Sequence, residues 1–161
     1  MHSPEQIDAL LRLSHSLLYL GMDGSPVYSD ELARMGGETF RLCNDLYDRG
    51  LHGDTPEEEA SLCLALLLGY NATLSDYGDK RQRIQRVLEH SWQVLPRIND
   101  SLLKVRLLTY CYSECNEEEL ADQAHAIIAT WNVDQLTCGQ KEIIEELQNI
   151  EDHPYPWEYI D

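Results

Sequence analysis

The sequence predicts an all-α protein: a single compact domain of about seven helices, paired as antiparallel hairpins in a bundle or short α-solenoid. Three observations lead there. Apolar residues recur at three- and four-residue spacing along nearly the whole chain, as on one face of a helix. The runs are separated by helix start and stop signals, clearest at Thr55-Pro56-Glu57-Glu58. Two stretches, Leu62–Tyr70 and Leu102–Tyr112, are apolar on nearly every side. Helices of that kind have no solvent face and must be central to their surroundings.

Each element follows from its residues. Ile7, Leu10, Leu11, Leu17 and Leu18 set a first helix that ends near Leu20-Gly21. After the loop Met22–Pro26, Ser29 or Asp30 can cap a second helix carrying Leu32, Met35, Thr39, Leu42, Cys43 and Leu46. Gly36-Gly37 inside it costs about 1 kcal/mol each relative to Ala, so a close helix crossing is expected there. Residues 48–54 form a connector. Thr55 then caps a third helix, with Pro56 at its first position and Glu58 closing a capping box. After Asp76–Asp79, a fourth helix turns Ile84, Val87, Leu88, Trp92 and Leu95 inward and ends at Pro96. Asn99 or Asp100 caps the fifth, Asn116–Glu119 opens the sixth, and Thr137 to Ile150 is the seventh, with Ile143, Ile144 and Leu147 inward.

The third and fourth helices resemble the fifth and sixth at an offset of forty, where Leu62, Leu67, Leu68 and Tyr70 match Leu102, Leu107, Leu108 and Tyr110. A buried helix followed by an amphipathic one is the unit of a stacked-hairpin fold. Residues 1–150 therefore read as the helical domain. Residues 151–161 read as an extended acidic and aromatic tail packed on it, because Pro154 and Pro156 alternate with Tyr155, Trp157 and Tyr159.

Charge is the strongest functional signal. The 161 residues carry 29 Asp and Glu against 12 Lys and Arg, a formal net charge of −17. From Glu114 to Asp161 thirteen acids face one base, Lys141, whereas Lys80 to Arg106 holds seven bases and two acids. Nucleic-acid backbones are bound by cations that neutralise phosphate, so a pI near 4.5 argues against direct nucleic-acid binding. It favours basic protein partners. The basic segment reads as an intramolecular partner for acidic helices or one half of a protein interface.

No apolar run approaches a membrane span, and the N-terminus has no basic segment followed by an apolar core. The expected location is the cytoplasm. Cys43, Cys63 and Cys111 sit in apolar patterns and read as reduced core residues. Cys111 and Cys115 could place two thiolates on one face, but no His or Cys pair completes a zinc set. No phosphate loop, nucleophile elbow or His-Glu-x-x-His is present. The carboxylate runs Glu57–Glu59 and Glu117–Glu119 lie in first helical turns, where they support helix starts and face solvent. His90 and His125 read as boundary residues. Neither an enzyme nor a cofactor or metal site is expected.

Several stretches together resemble one family. They are Leu18–Asp30, Thr55-Pro56-Glu57-Glu58-Glu59-Ala60 with Leu62–Leu67 and Gly69–Ala72, Leu107–Tyr112, Ala124–Ile128, and Pro154-Tyr155-Pro156-Trp157-Glu158. The pattern is similar to that of the UpxZ family of Bacteroides capsular polysaccharide loci. That resemblance implies a non-enzymatic antagonist of transcription antitermination. It would bind UpxY-type, NusG-like factors of other loci so that one capsule predominates. It implies no cofactor and assigns no residues. The residues themselves point to two contact regions: the acidic set Glu117, Glu118, Glu119 and Asp122, and the tail residues Tyr155, Trp157 and Tyr159. An acidic hairpin chaperone or adaptor holding an unfolded client segment is the alternative.

Overall fold

A computed structural model describes residues 4–20, 26 and 28–153. Among them are seven α-helices and no strand, as the sequence predicts: α1 (Pro4–Leu18), α2 (Ser29–Asp48), α3 (Pro56–Ala72), α4 (Lys80–Val94), α5 (Leu102–Cys115), α6 (Glu118–Ile128) and α7 (Cys138–Asp152). A 3₁₀ turn, Leu95–Arg97, carries the chain through Pro96 at the end of α4. The chain divides into two compact units, Met1–Arg97 and Ile98–Asp161.

The first unit is built around α3, which packs against α1, α2 and α4. Ten of its seventeen residues are buried, on every side of the helix. Leu62, Leu64, Leu66, Leu67 and Tyr70 are all at most 1% exposed. Each such leucine contributes about 1.5–3 kcal/mol by leaving water. In the second unit α5 holds the same position, packed against α6 and α7, with Val105, Leu107, Leu108 and Cys111 fully buried.

Helix ends show where local rules decide and where they do not. Thr55 Oγ1 accepts from the Glu58 N–H at 3.1 Å, as predicted. The Glu58 carboxylate reaches Asp54 N–H instead of completing a capping box on Thr55. A complete box forms at Thr137 and Gln140. Ser101, not Asn99 or Asp100, caps α5. Tyr28 precedes α2 without a side-chain cap, so neither Ser29 nor Asp30 plays the predicted part. Asn116 is left-handed, with φ of 56°, and closes α5 so that the sixth helix begins only at Glu118.

Two interior expectations are corrected. Trp92 is not part of the inward face of α4: it is 39% exposed, and Ser91 takes the buried position. The close helix crossing is at Gly69 and not at Gly36-Gly37. A Cβ on Gly69 would collide with Cys43 Sγ of α2 and lie 3.0 Å from Leu10 Cδ1 of α1. A Cβ on Gly36 or Gly37 would meet nothing within 4 Å.

These environments predict opposite signs for one substitution. Gly69→Ala forces α1 and α2 away from α3 and costs about 1–3 kcal/mol, the scale of overpacking. Gly36→Ala and Gly37→Ala each gain up to about 1 kcal/mol, because only helix propensity changes. Urea unfolding of the three variants checks the contrast, and a gain at Gly69 would refute the packing described.

Candidate protein-binding surfaces

The amphipathic stripe of α2 is covered along only half its length. Thr39, Phe40, Cys43 and Leu46 are buried against α1 and α3. Toward the N-terminus the same stripe continues through Leu32, Met35 and Gly36, and Leu32 is 40% exposed. The result is an apolar groove of about 320 Å³. Leu17, Leu32, Gly36, Gly37, Ala72 and Leu74 contribute to its lining. Leu74 is 95% exposed, and Tyr28 and Tyr77 are also exposed apolar residues of this unit. With no side chain on Gly36 or Gly37, the backbone of α2 is directly accessible from the groove.

The predicted acidic set is placed on the surface. Glu117 is the N-cap residue of α6, and Glu118 and Glu119 fill its first turn. With Asp122 they are all exposed. Only Leu120 and Ala121 between them are buried, which fixes the acids outward. Tyr155, Trp157 and Tyr159 lie outside the described residues.

Two bases of α4 are engaged within the first unit. Arg83 Nε donates to Asp79 Oδ2 at 2.9 Å, and its Nη1 lies 3.2 Å from both Asn44 Oδ1 and Asp48 Oδ1. The guanidinium also sits 4.5 Å from the centre of the Tyr47 ring. Lys80 Nζ donates to the Thr73 carbonyl at the end of α3. These bases tie α4 to α2 and α3. Lys104 pairs with Asp100 at 3.6 Å.

One carboxylate departs from the predicted exposure. Glu57 is exposed, but Glu59 is 4% exposed and points inward, not into solvent as its first-turn position predicts. Its Oε1 accepts from the Gly53 N–H at 3.2 Å. Its Oε2 lies 3.1 Å from His90 Nε2 and accepts from Arg97 Nη1 at 3.3 Å. His52 Nδ1 lies 3.9 Å from Oε1. His90 is thus a partner of a buried acid and not a simple boundary residue. Glu59 shares a helical stripe with Cys63, Leu66 and Tyr70, but Glu58 heads the equally apolar Leu62 and Ala65, so the sequence alone does not single it out. His125, by contrast, makes an exposed contact with Glu151 at 2.6 Å.

Burial alone would raise the Glu59 carboxyl above its ordinary 4.5, but the Gly53 amide, His90 and Arg97 outweigh it and hold the group below that value. A carboxyl lowered on folding adds stability that is present above the unfolded value and lost as pH falls through the folded one. Glu59→Gln should therefore cost about 1–3 kcal/mol at neutral pH, the penalty for a spoiled buried hydrogen-bonded charge. The difference from wild type should shrink as pH drops below 4.5. Denaturation at pH 7 and at successively lower pH checks this, and a pH-independent difference would contradict it.

Comparison with known proteins places these surfaces in context. A sequence model of the UpxZ family of transcription anti-terminator antagonists matches residues 7–113, a span that includes the α2 groove and the Glu59 cluster. A crystal structure of a transcription anti-terminator antagonist UpxZ from Bacteroides uniformis superimposes with a TM-score of 0.87 at 44% sequence identity. The alignment covers 98% of this chain and 97% of that one. No curated protein matches. No helix among the described residues is long and apolar enough to cross a membrane. The chain belongs to the UpxZ family of transcription anti-terminator antagonists.

Proposed function

We propose that this protein restrains UpxY-type, NusG-like antitermination factors of other capsular polysaccharide loci by binding them directly, in the cytoplasm and without catalysis. The observation that carries this reading is the half-covered stripe of α2. A helix that leaves Leu32 and two bare glycines beside an apolar groove gives up burial and helix propensity together. An uncovered apolar patch of this kind suits a protein partner. Gly36 and Gly37 leave room for the partner's side chains to reach the helix backbone.

Charge complements the groove. The protein's net charge of −17 steers it toward a basic partner, and antitermination factors must approach RNA polymerase, nucleic acid or both. Covering a basic working surface would block that approach. The exposed acids Glu117, Glu118, Glu119 and Asp122 serve as a second, electrostatic contact, and the tail residues Tyr155, Trp157 and Tyr159 as aromatic anchors.

The test is binding of the full-length protein to a panel of UpxY-type factors beside a housekeeping NusG protein. Gly36→Gln fills the groove while improving helix propensity, so it should lower affinity tenfold or more without loss of stability. Replacing the four acids by their amides should slow association and flatten its dependence on salt, since exposed charges are screened within roughly 8 Å at physiological ionic strength. Affinity unchanged by Gly36→Gln would remove the groove from the account. Binding of unfolded segments in place of folded factors would favour a chaperone.

A further inference from the structure

The Glu59 cluster is chemically distinct from both docking surfaces. Two imidazoles and a carboxylate converge at one point, and their ligand-capable atoms all lie within 4.8 Å of one another. The three residues come from different places. His52 is in the connector between α2 and α3, Glu59 is in the first turn of α3, and His90 is in the second half of α4. Their depths also differ. The Glu59 and His90 side chains are 5% and 11% exposed, whereas that of His52 is 89% exposed.

We propose that His52, Glu59 and His90 bind a divalent transition-metal ion of the zinc class. Two neutral imidazole nitrogens and one carboxylate oxygen form a known three-residue zinc set, with a fourth position left to water. Bonds of about 2.0–2.2 Å place tetrahedral ligand atoms roughly 3.3–3.5 Å apart. His90 Nε2 and Glu59 Oε2 already stand at 3.1 Å. His52 Nδ1 is 3.9 Å from Glu59 Oε1, and its ring lies 5.3 Å from that of His90. Only His52 has far to move, and its exposure leaves it free to do so. With its side chain 89% exposed, His52 brings the cluster to the protein surface, where an ion and its water ligand would have access.

The remaining contacts suit the role. Gly53 N–H holds Glu59 Oε1, the oxygen that Arg97 does not contact, fixing the carboxylate as outer hydrogen bonds fix metal ligands. Arg97 pairs with Oε2 in the ion-free form, and its side chain is 51% exposed, so an arriving cation can displace it into water. The ion would then staple the connector to α3 and α4. Mixed nitrogen and oxygen donors favour zinc, cobalt or nickel over magnesium or calcium, which require oxygen. The site is independent of the antagonist reading, since neither the groove nor the acids of α6 take part.

The test is titration of the full-length, metal-free protein with Zn²⁺ and Co²⁺, followed by calorimetry, cobalt absorption and thermal unfolding. One equivalent should bind and raise the unfolding midpoint by several degrees. The cobalt spectrum should lack the thiolate charge-transfer absorption that Cys115 or Cys138 would give. His52→Ala changes an exposed side chain and should keep the fold while weakening binding tenfold or more, since even a lost outer-shell partner costs roughly 10–100-fold. His90→Gln should do the same. Absence of stoichiometric binding, binding through thiolate, or affinity unchanged in His52→Ala would each overturn the assignment.

Discussion

A helix that presents apolar side chains in every direction must be covered in every direction, and α3 is such a helix. That requirement organises the first unit. The covering is closest where Gly69 removes a side chain, so that Cys43 of α2 and Leu10 of α1 can reach the backbone of α3. A side chain at this crossing would have to push both helices outward. The same burial carries Glu59 inward, because it shares a stripe with Cys63, Leu66 and Tyr70. Once there, the carboxylate needs partners, and His90, Arg97 and the Gly53 amide supply them. An acid in the first turn also sits favourably against the helix dipole. Core packing and the polar cluster are thus two results of one constraint.

The incomplete covering of α2 is the complement of that tight crossing. Packing ends near Thr39, yet the apolar stripe runs on to Leu32. A protein shaped only for stability would replace Gly36 and Gly37 by better helix formers, which the space around them allows. Their presence beside an apolar groove fits a surface shaped to receive another protein. Two basic residues of α4 do not compete for this role. Arg83 and Lys80 are occupied in joining α4 to α2 and α3. Lys80 and Arg83 thus serve cohesion within the first unit, while the acids of α6 are turned outward.

Most of the architecture was legible in the sequence because helix formation is governed by short-range signals. The seven helices follow from apolar periodicity, and the central place of α3 follows from its lack of a polar face. What was not legible depends on partners far along the chain. Glu57, Glu58 and Glu59 look alike in a first turn, and only the approach of His90 and Arg97, thirty-one and thirty-eight residues away, separates Glu59 from the others. An α3 apolar on all sides offers no unique inward stripe by which to sort them. Glycine is similarly ambiguous. Gly36-Gly37 and Gly69 carry the same local signal, but one faces an open groove and the other a helix crossing. The acidic set of α6 was readable because Leu120 and Ala121 fix its outward phase.

The most direct test of the account is a hydrogen-exchange footprint of the protein bound to an antitermination factor that it restrains. Exchange should slow in the N-terminal half of α2 around Leu32–Gly37 and at the groove edge near Leu74, with the buried face of α3 unchanged. Protection confined to other elements, with α2 exchanging as in the free protein, would contradict it.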